Sequence, residues 1–102
     1  GVQTCALPIL DACHLMMTLL KSQELDIGSL ACIHDDFGTH AEDTDKLHYA
    51  IRWAFVELYT QNDVLKDFRD SLQATVDIEL PPVPVKGTLD LQEILRSPYF
   101  FG

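Results

Sequence analysis

The sequence predicts an α+β fold that is mostly helical and contains one β-hairpin. Several stretches carry apolar residues every three or four positions, a spacing typical of amphipathic helices. One short apolar run of strand length is interrupted by two carboxylates before the apolar pattern resumes. The predicted order is helix, hairpin, helix, helix, extended connector and short helix, and this segregation of strands from helices is typical of the α+β class.

The first nine residues are set apart from the predicted fold. Residues 1–9 resemble the translation of sequencing-adapter DNA joined to a truncated reading frame, and they contain neither a charge nor a Met. They also lack the basic region of a signal peptide. An ordinary natural strand or loop is the alternative. The first helix is therefore predicted from Leu10 to Gln23, with apolar residues at 12, 15, 16, 19 and 20.

A hairpin is predicted next, because an apolar strand ends in acid and restarts within a few residues. The run Gly28–Ile33 shows no polar alternation, as expected for a strand that is covered on both faces. We expect Ile27–Ile33 and Phe37–Thr39 to pair antiparallel. Asp35 should then lie at or near the tip, accessible to solvent.

The second helix should run from about Asp43 to Thr60 and pack against the hairpin. Thr39 and Glu42 have the spacing of a capping box, and Asp43 is an alternative cap. Its apolar face should contain Leu47, Ala50, Ile51, Ala54, Phe55 and Leu58.

A third helix, a connector and a short last helix complete the prediction. The third helix should run from Val64 to Thr75, capped by Asn62 or Asp63. Three prolines make residues 77–85 an extended connector. Asp90 and Glu93 form a second capping-box pattern, so a short helix should begin there and stop around residue 98.

The composition of the chain limits the functions that it can have. The 102 residues include 7 basic and 16 acidic ones, giving a net charge of −9, which opposes tight binding to a phosphate backbone by this chain alone. No apolar run reaches membrane-spanning length. Cys13 and Cys32 lie in apolar surroundings, so we expect core thiols in a reducing compartment rather than a disulfide.

Asp35 is the leading candidate for chemistry, and a second carboxylate, Asp36, follows it directly. Ionised carboxylates beside an apolar strand are costly without a compensating cation, and the closest basic residues in the sequence are Lys21 and Lys46. A hard divalent cation such as Mg²⁺ prefers oxygen ligands. The structural alternative is a pair of turn carboxylates that accept hydrogen bonds from nearby backbone N–H groups.

The hairpin run resembles the carboxyl-terminal palm motif of the single-subunit, bacteriophage-type RNA polymerases, a family that includes mitochondrial and chloroplast enzymes. Three further blocks carry the same resemblance, in order and at plausible spacing, so that it covers roughly residues 10–102. The four blocks are Asp11–Thr18, Ile33–Thr39, Pro82–Leu91 and Ser97–Gly102.

The resemblance implies that residues 10–102 are the carboxyl-terminal palm portion of a DNA-directed RNA polymerase. The whole enzyme would add ribonucleoside triphosphates to an RNA 3′ end on a DNA template. Asp35 would be catalytic and would help to hold two Mg²⁺ ions. The family supplies a second Asp from an upstream palm strand, and a Lys and a Tyr from the fingers. Because this sequence contains none of those motifs, we expect the chain alone to be inactive.

Five further residues beside Asp35 are considered in the light of the resemblance. His14 would lie close to the nascent base pair and the ribose of the incoming nucleotide. His34 would orient the hairpin or contact the product 3′ end. It is not expected to ligate Mg²⁺ directly, since imidazole nitrogen suits softer metals. Asp36 departs from the small polar residue common in the family, and is either a solvated turn acid or a water-mediated metal ligand. Phe101 and Gly102 would end the chain near the active centre.

The expected partners are the DNA template, the nascent RNA and ribonucleoside triphosphates, with no membrane and with a monomeric enzyme. The cytoplasm of a phage-infected bacterium is the expected location, with the mitochondrion or chloroplast as the alternative. Three other functions stay open. The first is a family A DNA polymerase, which also has His-Asp at this hairpin. The second is a metal-dependent phosphohydrolase, which would need further His and Asp metal ligands. The third is an acidic interaction domain, which would leave the hairpin carboxylates unexplained.

Overall fold

The computed structural model describes the backbone of residues 2–61 and 63–100, and the side chains from Ile9 onward within those ranges. Helices and strands follow one another in the predicted order, which confirms the α+β prediction. The regular elements are α1 (Val2–Glu24), β1 (Leu30–Ile33), β2 (Asp36–Thr39), α2 (Thr44–Thr60) and α3 (Val64–Gln73), with 3-10 helices at Ala41–Asp43 and Leu91–Arg96.

Helix α1 begins eight residues earlier than predicted and ends in a Schellman motif. Extending an existing helix needs no new nucleation, which explains why residues 2–9 continue it. At the other end, Asp26 has a φ of 57°. Its N–H donates to the carbonyl of Gln23 at 3.2 Å, and the N–H of Ile27 donates to that of Ser22 at 3.0 Å. This reversal ends α1 and directs the chain into the hairpin.

The hairpin is antiparallel, as predicted, but its first strand is shorter. Leu30 pairs with Thr39, and Ile33 pairs with Asp36 next to the turn. Exposure alternates along both strands, so only one face is covered by other described residues. The hydroxyl of Thr39 donates to the carbonyl of Ser29 at 2.6 Å and stabilises the open end of the hairpin. Thr39 is therefore a strand residue, and its prediction as a helix cap was wrong.

Helix α2 forms the centre of the molecule and packs chiefly against α1. A 3-10 turn precedes it, and the N-cap residue Asp43 makes no side-chain capping bond. The Asp43 carboxylate instead accepts from Lys46 Nζ at 2.9 Å. The apolar residues that α2 buries are Leu47, Ala50, Ile51, Ala54, Val56 and Leu58. The predicted apolar face is therefore largely correct, but α1 covers more of it than the hairpin does.

Helix α3 and the connector are held together by side-chain bonds to the backbone. Asp63 caps α3 by accepting from the N–H of Lys66 at 3.2 Å, as predicted. Arg69 donates to the carbonyls of Leu80 and Pro81 at 2.8 and 2.7 Å. Gln73 donates to the carbonyl of Ile78 and accepts from the N–H of Leu80, both at 2.9 Å. These bonds hold the start of the connector along the helix.

The last helix is of the 3-10 type. Asp90 is its N-cap, but the carboxylate accepts from the N–H of Gln92 at 3.0 Å rather than from that of Glu93. The N–H of Glu93 donates to the Asp90 carbonyl at 3.1 Å, as the tighter 3-10 winding requires. The capping residue was thus predicted correctly, and the reciprocal capping box was not.

Two further observations concern membranes and thiols. Among residues 2–61 and 63–100, no helix combines the length and apolar character needed to cross a membrane. Cys13 and Cys32 are both free and half-buried, as expected for core thiols.

Candidate catalytic hairpin and its support

The hairpin presents its acidic residues to solvent. Since Ile33 pairs with Asp36, the turn consists of His34 and Asp35 alone. His34 has a φ of 55°, in the left-handed region. Two-residue hairpin loops favour turns with a positive φ at the first central residue, because the twist of these turns matches that of the flanking strands. His34, Asp35 and Asp36 are all exposed, which agrees with the predicted position of Asp35 at the tip.

The two carboxylates provide oxygen ligands of the kind that Mg²⁺ prefers. They lie at consecutive positions, one in the turn and one in the first pair of β2. No group of three His, Cys, Asp or Glu side chains in the described part of the chain could hold a metal ion. The described residues therefore place no third metal-binding side chain beside the two hairpin carboxylates.

His14 lies beneath the hairpin, in the interior. It is only 6% exposed, and its Nε2 is 3.0 Å from the carbonyl oxygen of Ile51. Because a carbonyl can only accept, Nε2 must carry a proton. The ring meets Phe37 and Phe55 edge to face, with centroid distances of 6.0 and 5.8 Å. His14 thus connects α1, α2 and β2. Its proximity to a substrate stays a prediction.

Aromatic contacts continue from His14 to the end of the described chain. The ring of Phe55 is 4.9 Å from that of Phe100, in edge-to-face geometry, and 4.6 Å from that of Tyr59. Phe37, His14, Phe55 and Phe100 therefore form a continuous row from the hairpin to the terminal segment. Phe101 and Gly102, predicted near the active centre, lie outside the described residues.

Arg52 is a buried residue that the sequence did not single out. It is 3% exposed, and its Nη2 donates to the carbonyl of Ser97 at 3.0 Å. Its Nη1 contacts His48 Nε2 and lies 3.4 Å from the His48 carbonyl. The guanidinium carbon is 5.8 Å from the Phe100 ring centroid. An arginine inside the apolar run of an amphipathic helix is a signal that could have identified it.

Three groups near these elements have displaced pKa values. A hydrogen bond and charge attraction from Asp43 raise the pKa of Lys46. Burial raises the pKa of the Cys32 thiol on β1. Burial also raises the pKa of Tyr59, and the charges of Asp11 and Cys13 add to the effect. None of the three is a residue proposed for chemistry.

Comparison with known proteins identifies the family. A family model described as DNA-dependent RNA polymerase matches residues 9–77. That span covers the hairpin and all three α-helices except the beginning of α1.

The chain belongs to this family.

Its relatives include plant and phage polymerases. The chain is 42% identical over 94 residues to DNA-directed RNA polymerase 1A of Nicotiana tabacum, covering 91% of this chain and 59% of that protein. It is 43% identical over 94 residues to the chloroplastic/mitochondrial DNA-directed RNA polymerase 2 of Arabidopsis thaliana, covering 91% of this chain and 9% of that protein. It is 45% identical over 97 residues to the DNA-directed RNA polymerase of Enterobacteria phage T3, covering 90% of this chain and 11% of that protein.

This combination of organellar and phage relatives confirms the resemblance to the bacteriophage-type family. The chain spans less than two thirds of the relatives' length, and only about a tenth of several of them. No solved structure matches the chain significantly.

Proposed function

We propose that residues 10–102 are the carboxyl-terminal palm portion of a DNA-directed RNA polymerase that performs two-metal nucleotidyl transfer. The observation that carries the proposal is the exposed Asp35 in a two-residue turn, within a hairpin that belongs to a region matching this family. Residues 1–9 are proposed to lie outside the palm portion. The polymerase names of the relatives favour this function over a phosphohydrolase, an interaction domain or a DNA polymerase.

Mg²⁺ suits the donors that the hairpin offers. Asp35 would be the principal ligand, and Asp36 would contribute through water or remain a turn acid. When bound, two Mg²⁺ ions would activate the 3′ hydroxyl and stabilise the leaving pyrophosphate. This chain would hold the Asp35 carboxylate in place through the hairpin, and upstream carboxylates would complete the ligand set.

The proposed partners of the whole enzyme are a DNA template, the nascent RNA and ribonucleoside triphosphates, with the enzyme acting as a monomer. His34 is proposed to orient the turn or to contact the product 3′ end. His14 is proposed to lie close to the nascent base pair and the ribose of the incoming nucleotide, and Phe101 and Gly102 to support the active centre. The relatives' names support either a phage-infected bacterium or an organelle as the location.

The test is single-nucleotide extension of a preformed RNA–DNA hybrid by the full-length polymerase, across a Mg²⁺ titration. Asp35→Asn keeps the size and turn propensity of the residue but removes its charge. We expect it to slow nucleotide addition on the order of a hundredfold or more, because metal stabilisation of the transition state is worth several kcal/mol. Thermal stability and promoter binding should stay nearly unchanged.

Asp36→Asn is the matched control, since it makes the same change one residue away. It should have a much smaller effect, and deletion of Phe101 and Gly102 should have an intermediate one. Near-normal extension by Asp35→Asn would remove the metal-ligand assignment. Equal losses in the two Asn variants would instead make Asp36 a functional partner of Asp35.

A further inference from the structure

We propose that Arg52 is a positioning residue for the active centre. Its guanidinium fastens the terminal segment, residues 97–100, to α2, and the fastened segment supports the hairpin that carries Asp35. This inference rests on the proposed function, because the position of the hairpin affects a reaction only if Asp35 takes part in it.

The guanidinium of Arg52 joins two parts of the chain that are 45 residues apart. On one side it contacts the ring and carbonyl of His48, one turn earlier on α2. On the other side it donates to the Ser97 carbonyl and lies near the Phe100 ring. Ser97 also shapes this segment, because its hydroxyl donates to the carbonyl of Tyr99 at 2.6 Å. Arg52 thereby fixes both ends of residues 97–100.

Stability alone is a poor explanation for this arginine. Within the described residues, none of the ion pairs includes Arg52, and its Nε has no hydrogen-bond partner. A buried charge whose contacts are neutral groups costs stability unless every polar atom is satisfied. The guanidinium does, however, have the rigid fork that reaches two acceptors in fixed directions. Its geometry is therefore the property that this position uses.

The row of aromatic rings links the fastened segment to the hairpin. Phe100 packs on Phe55, Phe55 on His14, and His14 on Phe37, with centroid distances of 4.9, 5.8 and 6.0 Å. All three contacts are edge to face, a geometry with directional preference. Phe37 is on the covered face of β2, two residues after Asp35. A shift of Phe100 would therefore loosen the support beneath the turn.

Arg69 offers a matched control. Like Arg52 it donates to backbone carbonyls of a distant segment, in this case those of Leu80 and Pro81. It holds the connector on α3 and has no part in the aromatic row. Arg52→Lys and Arg69→Lys therefore remove the same fork from two clamps on backbone carbonyls, of which only that of Arg52 supports the hairpin. Arg69 is less buried and lies 3.6 Å from Asp70, so it controls for the loss of the fork and not for burial.

The experiment uses the full-length polymerase and single-turnover extension of one nucleotide across a Mg²⁺ titration. A merely destabilised enzyme loses reaction amplitude, because fewer molecules are active. A mispositioned hairpin lowers the rate constant and raises the Mg²⁺ concentration needed for half the maximal rate. We expect Arg52→Lys to lower the rate constant on the order of 10- to 100-fold, as small misplacements of reacting groups do. Arg69→Lys should leave both quantities unchanged.

Hydrogen–deuterium exchange gives a readout that does not depend on activity. Amides of residues 30–39 should exchange faster in Arg52→Lys than in Arg69→Lys, because a loosened support raises local opening. Phe100→Leu removes the aromatic contact and leaves the buried arginine in place. It should reproduce both effects, so it carries the test if Arg52→Lys fails to fold. The double variant Arg52→Lys/Phe100→Leu should lose little more of the rate constant than the worse single variant, since both changes act on the same support of the hairpin.

The inference is overturned if a folded Arg52→Lys matches Arg69→Lys in rate constant, Mg²⁺ midpoint and exchange, or if Arg52→Lys does not fold and Phe100→Leu matches Arg69→Lys in all three. Additive losses in the double variant overturn it as well. Asp35→Asn is measured alongside to separate the two hypotheses. Activity in Asp35→Asn contradicts the proposed function itself. An inactive Asp35→Asn with an unaffected Arg52→Lys contradicts only the positioning role.

Discussion

At the scale of single residues, the structure gives His14 a packing role in addition to its proposed position near the incoming nucleotide. A helical histidine is usually a surface residue, but this one is buried and bonded to a carbonyl on α2. Its ring also separates Phe37 from Phe55. Replacing it would therefore remove a hydrogen bond, two ring contacts and most of the volume of a buried side chain.

We expect His14→Ala to lower the free energy of unfolding by about 2 to 4 kcal/mol, through the cavity and the lost hydrogen bond. Urea denaturation of the chain measures this change. His40→Ala is the control, because His40 is exposed and makes no side-chain capping bond. It should change stability by no more than about 0.5 kcal/mol. Equal effects of the two substitutions would contradict the interior role of His14.

At the scale of elements, the hairpin depends on an unusual backbone conformation at its turn. L-residues in the left-handed region cost about 1–2 kcal/mol, but histidine tolerates this region better than most. The position of Asp35 follows from the turn, because Ile33 and Asp36 pair only if His34 reverses the chain. The residue before the proposed ligand thus has a structural role regardless of any contact with RNA.

The turn can be tested by substitution of His34. Glycine accepts positive φ, so His34→Gly should keep the hairpin amides protected from exchange. Valine is β-branched and strongly disfavoured there, so His34→Val should speed exchange about tenfold or more, equivalent to 1.4 kcal/mol or more. Ile33→Val is the control, because Ile33 is 69% exposed and its φ is not positive. Equal protection in the Gly and Val variants would show that the turn does not need this conformation.

At the scale of the whole molecule, the charge distribution limits what the chain can bind. Most of the basic side chains already have an acidic partner. The residues in such ion pairs are Lys21, Lys46, Lys66, Arg69 and Lys86. Arg52 is buried, and the net charge is −9. Few cations are therefore available to neutralise phosphates.

The chain by itself should neither extend RNA nor bind DNA well. Two metals need carboxylates beyond the hairpin pair, and the described residues hold no group of three metal-binding side chains, so we expect weak Mg²⁺ binding and no nucleotide incorporation. Fluorescence anisotropy at physiological salt should show poor retention of an RNA–DNA hybrid. The full-length polymerase is the positive control in both assays. Reproducible extension by the purified 102-residue chain would contradict the prediction that the chain alone is inactive.

The sequence by itself determined the order of elements, the hairpin and the family. These features are local. Periodicity predicts the buried face of α2, and Asp63 caps α3 through a bond to a residue three positions away. The two carboxylates that interrupt the apolar run mark the turn. Each depends on interactions between near neighbours, whose spacing is visible in one element. The sequence motifs of the hairpin and terminal blocks were likewise sufficient to suggest the polymerase family.

Only the tertiary structure decided which residues support the hairpin. His14 meets Ile51 across 37 residues, and Arg52 meets Ser97 across 45. Such pairs depend on how α1, α2 and the terminal segment pack together, and the periodicity of a single helix contains no information about its partner. The error at Thr39 has the same cause, because strand pairing brings its hydroxyl to the carbonyl of Ser29, ten residues away. The error at Glu93 has a local cause, because 3-10 winding pairs its N–H with the carbonyl of Asp90.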